Sequence, residues 1–263
     1  MADLIWIAIA LGVAVVAWRF KRHRDRRRQL MLLCHRASLE FSTVDPFPDT
    51  GWLPFRLFGR GLSRGTENVV WNNDEGEGAR AFDYWIEERR TDGSVPVVHR
   101  FSCALVALPV ACRRLEVAPH GIVDDVRELI EGDDLDLELG SFNRRFDVHA
   151  DDRRFAVTFL DQRMMRALMT LPEGVTVLVN EDRMLLVAPV LSAPEVLLLL
   201  EAARALRRHV PAVVASLYPP RPMKGPHEDR WLQGGWSPEP IGDDADPARS
   251  IPPLRSRGER APG

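Results

Sequence analysis

The chain has 263 residues, 45% apolar and 28% charged, close to globular averages and long enough for one or two domains with a buried core. Its net charge of −3 hides an asymmetry: seven of the 35 Lys/Arg fall between Arg19 and Arg28 beside a single acid, so after that run 28 bases face 36 acids. A body near −8 excludes a nucleic-acid partner, whose phosphates require a basic footprint.

The first element is "LIWIAIALGVAVVAW", residues 4–18, fifteen uncharged and nearly all apolar positions. With Trp6 and Trp18 near its ends, and Arg19, Lys21, Arg22 and Arg24 flanking it, it reads as a single transmembrane helix with a basic collar, residues 1–28. No basic segment precedes the apolar run, which argues against a cleaved signal peptide. The positive-inside rule then puts the bulk of the chain on the cytoplasmic face of the cell membrane, with the bilayer as one partner. Residues 29–52 form a juxtamembrane helix and linker. Leu30, Leu33 and Leu39 make an apolar stripe, and "STVDPFPDTGWLPF" then breaks regular structure with three prolines and a glycine.

Residues 53–218 predict an α+β domain built on a mixed, mostly antiparallel sheet with packed helices. "ENVVWNN" and "ARAFDYWIEERR" are strands around the acidic turn "DEGEG". "VPVVHRFSCALVALPV" is apolar on both faces, as in a central strand, and "RRLEVAPHG" is one more. "IVDDVRELIEG" reads as a helix. "DDLDLELG" and "FNRRFDVHA" alternate and predict a hairpin around Gly140 and Ser141, in which an arginine-bearing face meets an acidic one. Asp151 or Asp152, and then Asp161, cap two helices. "VTVLVNEDRMLLVAPV" predicts a hairpin turning at residues 180–182, and "SAPE" opens a leucine-rich helix with a capping box. Residues 219–263 are rich in proline and glycine and predict a disordered tail.

"LPFRLFGRG", "ENVVWNN", "AFDYWIEER", "SFNRRFDVHADDRRFA" and "LDQRMMRALMTLP" occur in an order that resembles bacterial domain-of-unknown-function family 3137 over about residues 53–217. The resemblance implies a membrane-anchored protein and brings no catalytic or ligand residue with it.

Four constellations bear on chemistry. "GLSRG" is a G-x-S-x-G with Ser63 as nucleophile, but a strand follows where the elbow needs a helix. His99, Cys103, Cys112 and His120 make a poor zinc set, because residues four apart on a strand lie about 13 Å apart. Of Asp133, Asp134, Asp136 and Glu138, the last three spread along one strand face instead of curling round a calcium ion. Arg144, Arg145, Arg153 and Arg154 could grip an anion, although nearby acids compete for them. The three cysteines are sparse and lack CxxC spacing, so they read as reduced thiols. No metal or cofactor is expected. The sequence therefore reads as a non-catalytic interaction or scaffold module with an unidentified protein partner; the alternatives are a hydrolase using Ser63 and an anionic-lipid-reading module.

Overall fold

The computed structural model describes residues 2–47, 49–72, 78–89, 95–121, 133–134 and 140–219. A long helix α1 (Ala2–Arg36) leads into β1 (Glu40–Val44), two 3-10 turns (Thr50–Trp52 and Arg56–Gly59), β2 (Ser63–Trp71), β3 (Arg80–Glu88) and the 23-residue strand β4 (Val97–Pro119). There follow β5 (Asp133–Asp134), α2 (Gly140–Asn143), β6 (Phe146–Ala150), α3 (Arg153–Phe159), α4 (Gln162–Leu168), β7 (Thr176–Pro189), α5 (Ala193–Arg208) and α6 (Ala212–Leu217). The helix expected at 122–132 and the tail beyond residue 219 lie outside the described residues.

The α+β expectation holds, and among the described residues the strands pair antiparallel throughout. The order runs β1-β2-β3-β4-β6-β5, with β7 also on β4. The central-strand reading of β4 is correct and falls short only in length: Phe101 through Leu108 are all buried, and one strand continues to Pro119. β3 pairs with its first half and β6 with its second, while β7 runs along both. The two strand-rich halves are therefore one sheet.

The hairpin expected at residues 180–182 does not form. β7 passes straight through, because its register with β4 shifts on either side of Cys112, which faces Glu181. The extra residues of β4 include the exposed Pro109, which has no N–H for a ladder, and β7 answers with Glu181 at φ 51°. Asn180 fixes the kink by donating from Nδ2 to the carbonyl of Pro54 at 2.8 Å. At Gly140 the expected tight turn is replaced by the short helix α2, so strand alternation begins only at Phe146.

Both faces of the sheet are buried. On one lie α1, through Leu30 and Cys34, α5, through Val196, Leu199, Leu200 and Ala203, and the Phe155–Phe159 and Met164–Leu168 sides of α3 and α4. The other is covered by the segment after β1, where Phe55, Leu57 and Phe58 pack on Phe82, Tyr84, Phe101, Leu105 and Val187. The ring of Phe58 meets Tyr84 edge-on at 4.9 Å. Arg80 anchors the same cover: it pairs with Asp49 at 2.6 Å and lies over the rings of Phe47 and Phe82. Helix starts follow the sequence. Asp152 accepts from the N–H groups of Arg154 and Phe155, Asp161 from that of Met164, and Glu195 from that of Ser192 at 2.7 Å.

The transmembrane expectation is corrected. Among the described residues no helix is long and apolar enough to cross a membrane. The uninterrupted apolar run is fifteen residues, which rises only about 22 Å at 1.5 Å per residue against a hydrocarbon core of about 30 Å. The single-pass anchor, the cell-membrane placement and the cytoplasmic orientation derived from it are accordingly not supported. α1 instead continues through the basic collar without a break and docks its second half on the sheet.

Replacing Phe58 by alanine removes a side chain that is 1% exposed from the centre of the loop-covered core. The expected loss is about 3–5 kcal/mol, read from the urea midpoint.

Candidate functional site

The densest polar cluster sits where α1 crosses β2, β3 and β4. β2 shifts register between Glu67 and Val70, and Asn68 adopts φ 54°, a left-handed conformation that asparagine tolerates better than most residues. Asn68 donates from Nδ2 to Asp83 Oδ2 at 2.8 Å and accepts at Oδ1 from Arg27 Nε at 2.9 Å. Asp83 is 6% exposed in the middle of β3. Arg26 meets it with a two-pronged guanidinium, Nη1 to Oδ2 at 2.5 Å and Nη2 to Oδ1 at 2.9 Å. Ser102 of β4 adds a third donor residue at 3.0 Å and accepts the N–H of Leu191, whose carbonyl in turn accepts from Arg26 Nε at 2.6 Å. At the rim, Glu67 faces Arg27 at 3.4 Å, His23 at 3.7 Å and Arg100.

The chemistry of this seat is clamping. Asp83 accepts from four donor atoms, so its charge is offset on every side. A carboxylate taken out of water demands such partners, and an arginine fork supplies two at once.

The arginines singled out from the sequence sit in different settings. Arg145 is committed to structure: its Nη atoms donate to the carbonyls of Met169 and Leu171 at 2.5 Å each, closing the end of α4, while its guanidinium stacks on Phe146. Arg144 is exposed in the turn before β6, and Arg153 and Arg154 are exposed in the first turn of α3. Lys21, Arg22 and Arg24 are exposed on α1, with Arg22 over the ring of Trp18 at 5.5 Å. Arg26 and Arg27 of the same run, which the sequence reading treated as orientation signal, are the ones that carry the seat. Asp83 was the available signal, since a lone acid inside an apolar strand requires a cation nearby.

Ser63 opens β2 and is followed by eight further strand residues, so the nucleophile-elbow geometry is absent there. His99 stands 4.0 Å from Glu88, Cys103 is buried in the loop-covered core, Cys112 lies at the β4 kink, and His120 pairs with Asp147 at 3.0 Å. No group of three metal-ligating side chains occurs among the described residues. Only Asp133 and Asp134 of the acidic row are described, and they pair with Ala150 and His149 of β6.

A second feature is apolar. Leu62, 62% exposed, donates its N–H to Glu87, and Glu87 pairs with Val98, 50% exposed; Val95, just ahead of β4, is 82% exposed. Trp52, 87% exposed, belongs to the turn that Thr50 ties to Thr66 of β2 at 3.3 Å. Leu62, Val95 and Val98 thus leave apolar side chains open to solvent at one end of the sheet, beside the Arg60–Glu88 pair at 3.1 Å, whereas Trp52 stands by the middle of β2.

The three cysteines are free and buried. Desolvation pushes the thiol of Cys34 up to about 11 and that of Cys112 up to about 12, from an ordinary 9.0, and raises Cys103 as well.

Two outcomes follow from this arrangement. Asp83→Asn strands the Arg26 guanidinium and is expected to cost about 3 kcal/mol in urea unfolding, whereas Arg26→Met with Asp83→Leu, which removes both charges, costs less. From about pH 9 the unfolded chain releases thiol protons that the folded chain holds to about pH 11, so unfolding stability falls as pH rises through that window. Urea midpoints taken across it measure the slope.

No family model and no curated protein matches this chain. Among solved structures it is similar to the crystal structure of the mycobacterial trehalose monomycolate transport factor A, TtfA, with a TM-score of 0.53 and 15% identity over 76% of this chain and 99% of that one. At that identity the likeness shows a shared fold.

Proposed function

We propose that the chain is a non-catalytic interaction module that serves as an accessory factor in a transport-related assembly. The observation that carries this reading is the set of exposed apolar side chains at one end of the sheet, Leu62 ahead of β2 and Val95 and Val98 at the start of β4, since large apolar side chains left open beside one another's strands mark protein contacts. The clamp supports it: Arg26, Arg27, Asp83 and Asn68 are committed to holding α1, and Arg145 to holding α4. The structural neighbour is itself a transport factor.

Crosslinked pull-downs with the full chain are expected to recover the same protein repeatedly, and Leu62→Asp with Val98→Asp to lose it while the urea midpoint stays within about 0.5 kcal/mol, as usual for exposed positions. Labelling by a fluorophosphonate that disappears in Ser63→Ala would instead make the chain a serine enzyme.

A further inference from the structure

Among the described side chains, contacts with the body engage α1 at His23, Arg26 and Arg27, and several apolar ones ahead of them are open. Trp6, Val13 and Phe20 are 70, 64 and 77% exposed. They recur every seven residues, which on a helix draws one nearly straight stripe, the pattern by which helices meet other helices. Ala17, also exposed, lies beside that stripe and lets a neighbour approach closely. Leu11 and Trp18 face away from it, and Arg22 lies over the Trp18 ring.

We propose that residues 6–20 of α1 pair antiparallel with the same segment of a second copy of the chain, about a two-fold axis beside Val13. The stripe is its own complement under that operation. Trp6 and Phe20 lie equally far from Val13, about 10 Å to either side along the axis, so Trp6 meets Phe20 of the partner subunit and Val13 meets Val13 of the partner subunit. Aromatic rings face each other at both ends, and the two Val13 side chains meet in the middle.

Charge selects the direction. Lys21, Arg22, Arg24 and Arg28 are exposed just beyond the stripe. A parallel pair would place two such collars side by side, about 10 Å apart. An antiparallel pair sets them about 30 Å apart, well past the screening length of about 8 Å at physiological salt. It also sends the two bodies to opposite ends, where they do not compete for space.

The area covered by four aromatic rings, two valines and the backbone between them is on the order of 1,000 Å² over both copies, where specific interfaces begin. Pairing is therefore expected to depend on protein concentration. It involves the open half of α1 and is independent of the apolar end of the sheet.

Single-cysteine crosslinking in the full chain tests the axis. The native thiols are buried, and position 13 is open, so Val13→Cys leaves the fold alone and adds an accessible thiol. Under mild oxidation at tens of micromolar protein, Val13→Cys is expected to form a disulfide-linked dimer, and an equal mixture of Trp6→Cys and Phe20→Cys to link across the two variants. Parent chain under the same conditions stays unlinked. Trp6→Cys linking to itself as fast as Val13→Cys would overturn the antiparallel arrangement. A single monomeric species by sedimentation at these concentrations, or chain that floats with phosphatidylcholine vesicles while Val13→Cys fails to link, would overturn the pairing itself.

Discussion

Everything in this structure turns on a carboxylate placed where water cannot reach it well. Asp83 occupies the middle of a strand whose alternate side chains, Phe82 and Tyr84, belong to the loop-covered core, and its own side chain faces the helices. An isolated charge there would cost several kcal/mol. Arg26, Asn68 and Ser102 come from three different elements to offset it, so α1, β2 and β4 are all fixed relative to β3 by one side chain. Arg26 also takes the carbonyl of Leu191, immediately before α5, and the helix layer is thereby indexed to the same point. Apolar burial by Leu30 and Cys34 supplies attraction along α1, whereas the ion pair supplies position.

The sheet is unified by a matched pair of irregularities. β4 and β7 are too long to run side by side without accumulating twist, and each bends at the same level, one around Pro109 to Cys112 and the other at Glu181. Beyond the bend β4 exchanges β3 for β6 as its neighbour, while β7 stays with it throughout. That arrangement lets helices cover one face and an aromatic-rich segment the other.

Much of this was legible in the chain. The central strand declared itself by being apolar on both faces, and Asp152, Asp161 and the Ser192–Glu195 pair marked helix starts correctly, because capping depends only on neighbours. What local pattern could not give was length and long-range pairing. Residues 180–182 look like a turn because asparagine and acids favour one, yet here the same residues make a kink that fits Cys112 more than sixty positions earlier. The basic run was read as a uniform collar, although its members divide: Arg26 and Arg27 point at the sheet, while Lys21, Arg22 and Arg24 remain open. The arginines around position 150 gave the opposite lesson. Their alternation suggested a strand face paired with acids, but the short helix α2 turns Arg144 and Arg145 out of strand alternation, and Arg145 was needed to finish α4. The fifteen apolar residues of α1 suggested a membrane span from composition, and length decided against it.

One consequence of the unbroken α1 concerns leverage. From Arg26 to its first turn the helix extends about 36 Å as a single stiff rod, so a pivot of only five degrees at the clamp would swing its tip by about 3 Å. A small rearrangement around Asp83 is thereby geared up into a displacement large enough to engage or release whatever holds the far end.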